Sequence, residues 1–120
     1  MIKNKKILIT GIYGFLGKHL AIKLHDNNEI IGINLPNKSK NLQKELDNIT
    51  IIEGDISESN TLEKINSDID LILHFGSPTS VILFNQDPTR HFNNTVNGMK
   101  NILEFAKKKF YKKTDLSIIS

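Results

Sequence analysis

Short apolar runs alternate with longer amphipathic stretches along this chain. Runs rich in isoleucine and leucine predict five strands, at residues 5–10, 29–34, 50–53, 69–75 and 115–119. Apolar residues at helical spacing predict three helices, from Phe15 to a stop at residues 27–28, over 61–65, and from Pro88 to about residue 109. Strands that alternate with helices and are apolar on both sides are typical of a parallel sheet covered on both faces.

The apolar residues of the two longer helices predict which side of each packs on the sheet. In the first helix these residues are Phe15, Leu16, Leu20 and Leu24. In the last helix they are Phe92, Val96, Met99, Leu103 and Ala106. Right-handed crossovers then predict an α/β, doubly wound parallel sheet of the Rossmann type with about five strands, truncated at the fifth.

The composition is that of an ordinary globular chain, and it narrows the possible functions. The 120 residues are 38% hydrophobic and 24% charged, which suits a single unit over residues 1–120. There is no cysteine, which excludes disulfides, thiolate metal sites and a cysteine nucleophile. The apolar runs are too short to cross a membrane, and nothing at the N-terminus resembles a signal peptide. We therefore expect a cytoplasmic protein without a membrane partner.

The formal net charge of +3 draws on two lysine clusters, at residues 3–6 and 107–113. Aromatic residues interrupt the second cluster, as they do on some nucleic-acid-binding surfaces. Lysines in the last turn of a helix also complement its dipole, and this interpretation is preferred, so no nucleic-acid partner is expected. His19 and His25 lie on the first helix without further ligands, so no metal site is expected.

Three glycines follow the first strand at a spacing of three residues: Gly11, Gly14 and Gly17. The first permits a sharp turn, the second lets a pyrophosphate approach the backbone, and the third lets helix and strand pack closely. The N-terminus of the following helix offers N–H groups and the positive end of its dipole to phosphates. Placed between a strand and an amphipathic helix, this spacing predicts a dinucleotide-binding turn.

The stretch TGIYGFLGKHL, which contains these glycines, resembles the opening of the extended short-chain dehydrogenase/reductases, the NAD-dependent epimerase/dehydratase family that remodels nucleotide sugars. The resemblance runs from residue 5 to residue 120. GDI at residues 54–56 is similar to the family's Gly-Asp-(Ile/Val/Leu) after the third strand. HFGS at residues 74–77 resembles its His-Leu-Ala-Ala/Ser segment, and SPTS at residues 77–80 is most similar to UDP-glucuronate decarboxylase-like members.

The resemblance implies an NAD site at the carboxyl ends of the strands. It places the pyrophosphate on the glycine turn, the adenine beside residues 55–56, and the ribose and nicotinamide beside residues 75–77. The cofactor-binding residues that it implies are Gly11, Tyr13, Gly14, Phe15, Leu16, Gly17, Asn34, Asp55, Ile56, Phe75, Gly76 and Ser77. Asp55 can shape its own turn or cap a helix at the same time. His74 fits a packed, hydrogen-bonded histidine better than a catalytic one.

Asn34 departs from the pattern of the family, whose NAD-preferring members usually carry an aspartate there for the ribose hydroxyls. Asparagine lacks the charge that repels a 2′-phosphate, and Lys38 and Lys40 follow shortly after it. NAD is the expected cofactor, and NADP stays open.

The family's acid–base pair, Tyr-x-x-x-Lys, does not occur in these residues. The two tyrosines are Tyr13 and Tyr111, and Gly17 and Asp115 stand four residues after them. No catalytic residue is therefore assigned, and the substrate-binding lobe is expected to be absent. Three interpretations stay open: the dinucleotide-binding half of a nucleotide-sugar epimerase, dehydratase or decarboxylase, a non-catalytic NAD(P)-binding or interaction module, or an inactive truncated remnant. A nucleotide sugar is a partner only where the missing half is present.

A sequence that stops within its fifth strand would leave an apolar edge and an uncovered sheet face. Such surfaces promote pairing with another chain. In the family that this chain resembles, the helix matching residues 88–109 helps to form a dimer. We therefore expect self-association, as a homodimer.

Overall fold

Five parallel strands form one sheet at the centre of the fold. The structure, a computed structural model, describes residues 2–35, 48–76, 85–109 and 118–119. The strands are β1 (Lys6–Thr10), β2 (Glu29–Asn34), β3 (Ile49–Glu53), β4 (Leu71–His74) and β5 (Ile118–Ile119). Their order across the sheet is β3-β2-β1-β4-β5, and every pairing is parallel. The predicted doubly wound α/β sheet is thereby confirmed.

Within the described ranges, α1 (Phe15–Leu24) covers one face of the sheet and α2 (Pro88–Lys109) covers the other. The short helix predicted over residues 61–65 is a single 3₁₀ turn, Leu62–Lys64. The first four strands lie where the apolar runs predict them, to within two residues at each end. Of the predicted fifth strand, residues 118–119 are paired with β4, and residues 115–117 lie outside the described residues.

Alternate residues of the central strands supply two separate cores. Ile7 and Ile9 of β1 face α1, whereas Leu8 between them faces α2. The core under α1 contains Ile7, Ile9, Ile12, Ala21, Ile30, Ile49, Leu71 and Leu73. The core under α2 contains Leu8, Ile31, Ile33, Ile56, Leu62, Ile65, Ile69, Ile72, Ile102, Phe105 and Ala106. Because both faces are buried, continuous apolar runs mark these strands in the sequence.

The inward side of α1 is the predicted one only in its second half. Leu20 and Leu24 pack against the core under α1 as predicted, whereas Phe15 and Leu16 are 82% and 50% exposed. At the start of the helix Gly17 is buried instead. A Cβ atom on Gly17 would overlap the carbonyl oxygen of Gly11 and lie 3.0 Å from the Cα atom of Ile12. The first turn of the helix therefore lies so close to the preceding turn that its large side chains point outward.

The inward side of α2 also differs from the predicted one. Ala106 is buried as predicted, whereas Phe92, Val96 and Leu103 are 66%, 46% and 51% exposed. The residues of α2 that are buried against the sheet are Gly98, Ile102, Phe105 and Ala106. The helix thus has two apolar sides, and only one of them packs on the sheet.

Contacts with Ile56, in the loop after β3, determine which side of α2 is buried. A Cβ atom on Gly98 would lie 3.2 Å from Cγ2 of Ile56. Asn101 Nδ2 donates a hydrogen bond of 2.9 Å to the backbone oxygen of Ile56. Glycine and asparagine contribute nothing to a hydrophobic pattern, so periodicity favours the wrong side.

The contact between Gly32 in β2 and Ile12 gives a test of this packing. A Cβ atom on Gly32 would overlap Cδ1 of Ile12 and lie 2.8 Å from its Cγ2. We expect Gly32→Ala to lower the free energy of unfolding by about 1–3 kcal/mol, because the core has no room for the added methyl group. Urea unfolding followed by circular dichroism measures the loss.

Ile12→Val removes the overlapping Cδ1 atom and provides the control. The double variant Gly32→Ala/Ile12→Val should lose at least roughly 0.5 kcal/mol less than the sum of the two single variants. Strict additivity of the two losses would contradict the contact.

Candidate functional site

Because the strands are parallel, they all end at the same edge of the sheet, and the loops that follow them begin there. The loop after β1 carries the glycine turn, β2 ends at this edge, and the loops after β3 and β4 follow beside it. The predicted site residues that the fold places at or next to this edge are Gly11, Tyr13, Gly14, Phe15, Leu16, Gly17, Asn34, Asp55, Ile56, Phe75 and Gly76. Ser77, which is also predicted, lies outside the described residues.

The turn after β1 requires glycine at its first position for two reasons. Gly11 has a φ of +69°, which residues with a side chain rarely adopt. A Cβ atom there would also lie 2.8 Å from the backbone carbon and oxygen of Phe75. The Gly11 N–H donates to the Ile33 oxygen at 2.8 Å, and its own oxygen accepts the Gly14 N–H at 3.0 Å. The turn is thus held against both β2 and the loop after β4.

The N-terminus of α1 begins at an exposed residue. Its N-cap is Gly14, which provides no side-chain hydrogen bond, and its first turn contains no acidic residue. The first N–H groups of any helix have no acceptor within the helix. Among the residues that the structure describes, a Cβ atom on Gly14 would contact a single atom, the Gly11 oxygen at 3.2 Å, so these residues leave the backbone open to a ligand. The helix dipole favours a negatively charged group at this position.

Asn34 joins the glycine turn to the end of β3. Its Oδ1 accepts the N–H of Tyr13 at 3.3 Å, and its backbone oxygen accepts the N–H of Gly54 at 2.9 Å. Both oxygens of the residue are engaged in holding the edge together. Its Nδ2 is a donor group, and the side chain carries no charge.

Asp55 shapes the loop after β3. Its Oδ1 accepts hydrogen bonds from the Ser57 N–H at 2.9 Å and the Ser57 hydroxyl at 2.7 Å. Its backbone oxygen accepts the Thr61 hydroxyl at 2.6 Å. The predicted turn-shaping role of Asp55 is therefore confirmed. Ile56, the next residue, is only 7% exposed, and its side chain belongs to the core under α2.

The ends of β1 and β4 are joined through Thr10. Its hydroxyl oxygen lies 2.7 Å from Nδ1 of His74 and accepts the N–H of Gly76 at 2.9 Å. The Phe75 N–H donates to the Thr10 backbone oxygen at 3.1 Å. His74 is 5% exposed, and its burial lowers its pKa below the ordinary value of 6.5. The prediction of a packed, hydrogen-bonded histidine is confirmed.

Sequence reasoning missed two residues that position this edge, Thr10 and Asn101. Thr10 pairs with His74 in the register of β1 with β4, and both residues stand at the end of their strands. Aligning the two strand ends would have found the pair. Asn101 lies on α2, 45 residues from the backbone oxygen that it binds, and no local pattern signals this contact.

The described part of the chain contains no cluster of three or more metal-ligating side chains. None of its helices is long and apolar enough to cross a membrane. His25 is engaged locally, with Nδ1 at 2.7 Å from the Ile22 oxygen and Nε2 at 3.1 Å from an Asp26 carboxylate oxygen.

Comparison with known proteins gives a consistent result. UDP-glucuronic acid decarboxylase 3 of Arabidopsis thaliana is 32% identical over 111 residues, which cover 88% of this chain and 31% of that protein. The structure of UDP-N-acetylglucosamine 4-epimerase from Methanobrevibacter ruminantium M1, in complex with UDP-N-acetylmuramic acid, has a TM-score of 0.76 at 28% identity, covering 90% of this chain and 36% of that one. The enzyme WbmH of Bordetella bronchiseptica, in complex with NAD+, has a TM-score of 0.69 at 27% identity, covering 88% and 36%.

The chain spans about a third of the length of these proteins. The family model of the NAD dependent epimerase/dehydratase family matches residues 7–117. Because that match covers most of the sequence, the chain belongs to the NAD-dependent epimerase/dehydratase family.

Proposed function

We propose that this chain binds NAD or NADP at the carboxyl edge of its sheet, as the dinucleotide-binding part of a nucleotide-sugar epimerase, dehydratase or decarboxylase. The observation that carries the proposal is the uncapped N-terminus of α1, with open space in front of Gly14. A pyrophosphate at that position would accept hydrogen bonds from the first N–H groups of the helix. Family membership and the NAD+ in the WbmH complex support this assignment.

The other predicted residues fit the rest of a dinucleotide. Gly11 and Gly17 shape the turn, and Tyr13, Phe15 and Leu16 would offer backbone groups to the pyrophosphate. The residues assigned to the two ends of the cofactor are Asn34 for the adenosine ribose, Asp55 and Ile56 for the adenine, and Phe75, Gly76 and Ser77 for the nicotinamide end. Because the Ile56 side chain is buried, its contact with the adenine would be through the backbone. When bound, NAD(P) supplies the hydride acceptor and donor for redox chemistry at a sugar carbon.

The Asn34 side chain is compatible with either NAD or NADP. A carboxylate at the end of β2 would repel a 2′-phosphate, whereas the neutral Asn34 side chain has an amide donor for either a ribose hydroxyl or a phosphate. Its Oδ1 already accepts the Tyr13 N–H, so the group that remains for a ligand is the Nδ2 donor.

Sugar chemistry would need residues beyond this sequence. The 120 residues hold no Tyr-x-x-x-Lys pair to move a proton at a sugar hydroxyl. We infer that residues 1–120 form the dinucleotide-binding half and that the nucleotide sugar binds where a substrate-binding lobe joins it. A second candidate is an NAD(P)-binding module without catalysis. The intact mass in the native cells separates the two, because a mass near 13.6 kDa supports the module and a substantially larger one supports the enzyme.

We further propose that the chain forms a homodimer through the second apolar side of α2. We call this side the outer stripe, and it consists of Phe92, Val96, Met99 and Leu103. Their spacing of four, three and four residues is that of helices that pair side by side. Two copies packed antiparallel about a two-fold axis would place Phe92 against Leu103 and Val96 against Met99. The stripe is therefore complementary to itself.

We also propose that the protein is located in the cytoplasm. The absence of cysteine means that nothing in the sequence needs an oxidising compartment. NAD(P) is also a cofactor of cytoplasmic metabolism.

Gly14→Val tests the pyrophosphate site. The valine side chain would occupy the open space in front of α1, and its Cβ atom meets only the Gly11 oxygen at 3.2 Å. We expect the Kd for NAD+ to rise by at least about tenfold while the melting temperature changes little. Isothermal titration calorimetry and thermal unfolding measure the two quantities.

Lys23→Val places the same residue at an exposed position near the end of α1 and is the matched control. It should bind NAD+ like the wild type. Wild-type affinity in folded Gly14→Val, or no heat with either nucleotide on folded wild-type protein, would overturn the assignment.

Asn34→Asp tests the cofactor preference. Aspartate keeps an oxygen for the Tyr13 N–H but adds a negative charge where a 2′-phosphate would lie. We expect the ratio of the Kd for NADP+ to the Kd for NAD+ to rise by about tenfold. Asn27→Asp adds the same charge at an exposed position on the opposite edge and should leave the ratio unchanged. Equal ratios in wild type and Asn34→Asp would refute a role of Asn34 in the preference between NAD and NADP.

Val96→Glu tests the dimer. The carboxylate would be buried in the middle of the outer stripe, which is costly without a partner. Sedimentation equilibrium should show the dimer dissociation constant raised by about tenfold or more. Asn97→Glu, exposed on another side of the helix, should leave it unchanged. A wild-type chain that stays monomeric at high concentration would exclude the dimer.

A further inference from the structure

A hydrogen-bonded triad of Thr10, His74 and Gly76 joins the loop after β4 to the glycine turn. The Thr10 hydroxyl oxygen accepts the Gly76 N–H at 2.9 Å and lies 2.7 Å from Nδ1 of His74. Because both Thr10 and His74 are buried, water cannot replace the bond between them. We call these three residues the Thr–His latch.

The Thr10 hydroxyl can donate to Nδ1 of His74 only when that nitrogen carries no proton. With the hydroxyl as the donor, the histidine is neutral and its imidazole proton is on Nε2. Protonation of Nδ1 would turn it into a donor, and the Thr10 hydroxyl would have to accept from both His74 and Gly76 while its own proton lost its acceptor.

Burial, rather than a neighbouring charge, lowers the pKa of His74. Thr10 and His74 lie two residues beyond Leu8 and Ile72, so their side chains face the side covered by α2. The titratable residues on the surrounding elements are Lys6 at the far end of β1, Glu53 and Asp55 at the end of β3, Glu63 and Lys64 in the 3₁₀ turn, and Arg90, His91, Lys100, Glu104, Lys107 and Lys108 on α2. Among those on α2, only His91 is half-buried, and β5 has no titratable residue.

The loop that the latch holds is in direct contact with the glycine turn. A Cβ atom on Gly11 would lie 2.9 Å from the nitrogen of Gly76, and one on Gly76 would lie 3.0 Å from Thr10 Oγ1. The two backbones therefore meet without a side chain between them. A shift of the loop after β4 must move the glycine turn or open a gap beside it.

We propose that Thr10 and His74 are positioning residues that make dinucleotide binding depend on pH, with full affinity at neutral pH and weaker binding in acid. Protonation of His74 would place a charge inside the fold and leave the Thr10 hydroxyl proton without its acceptor, and this would loosen the contact between the loop after β4 and the glycine turn. The inference rests on the proposed dinucleotide site and adds its regulation. Because the folded protein binds the proton more weakly than the unfolded chain, stability is also full above pH 6.5 and decreases as the pH falls below that value.

Calorimetric titration with NAD+ between about pH 8 and pH 5.5 tests the proposal, since NADP+ carries a phosphate that itself titrates near pH 6. We expect the wild-type Kd to be constant above about pH 7 and to rise by at least about threefold over the acidic range in which His74 takes up its proton. His74→Asn keeps an acceptor for the Thr10 hydroxyl but takes no proton, so its Kd should be independent of pH. Thr10→Val should weaken binding at every pH, and Thr10→Ser should restore both the affinity and the pH dependence.

His25→Asn, at the opposite edge of the sheet, is the matched control and should keep the wild-type pH profile. The same dependence of Kd on pH in wild type and His74→Asn would overturn the proposed role of the latch. The absence of NAD+ binding by folded wild type at pH 8 would instead overturn the proposed function. If the variants do not fold, nitrogen NMR of the His74 imidazole in the wild-type protein tests the proposal instead. A proton on Nε2 of His74 and titration below pH 6.5 support the latch, and a proton on Nδ1 at neutral pH refutes it.

Discussion

The close approach of three backbone segments at Gly11 is the constraint on which the rest of the structure depends. The N–H of Gly11 is bound to β2, its Cα atom touches the loop after β4, and its oxygen lies against Gly17 of α1. A φ of +69° at this one residue lets the chain leave β1 and enter the helix within a few residues. A side chain at Gly11 would meet Phe75, and one at Gly17 would meet Gly11, so the sheet and helix could no longer approach each other as they do. The open N-terminus of α1 is a consequence of this packing.

The two outer glycines of the turn therefore serve the scaffold, whereas the middle one leaves room for a ligand. Gly17 is buried and packs on the turn, but a Cβ atom on Gly14 would touch a single atom of the residues described. This difference cannot be seen in the spacing of the glycines, which is the same on both sides.

The sequence predicts most of this fold because parallel strands buried on both faces leave long apolar runs. It also predicts the edge at which the site lies, since the glycine turn marks the end of β1. It does not predict which side of α2 faces the sheet, because the choice is made by Gly98 and Asn101 against the end of β3, far away in sequence. The partnership of Thr10 with His74 likewise depends on the register of two strands 64 residues apart. Contacts of this kind arise from tertiary packing, and no window of local sequence contains them.

The polar groups that hold the edge beside the glycine turn are neutral, and this determines what the edge can bind. Thr10, His74 and Asn34 tie the strand ends together without a formal charge at neutral pH. The acidic residues of this edge, Glu53 and Asp55, follow β3 at the outer side of the sheet, and the carboxylate of Asp55 is engaged by Ser57. The positive end of α1 is thus not cancelled by a nearby carboxylate on β1 or β2. A neutral histidine preserves this arrangement because it adds no charge beside Thr10. Adding a second proton would place an unpaired charge inside the fold, which couples the electrostatics of the ligand site to the packing that supports it.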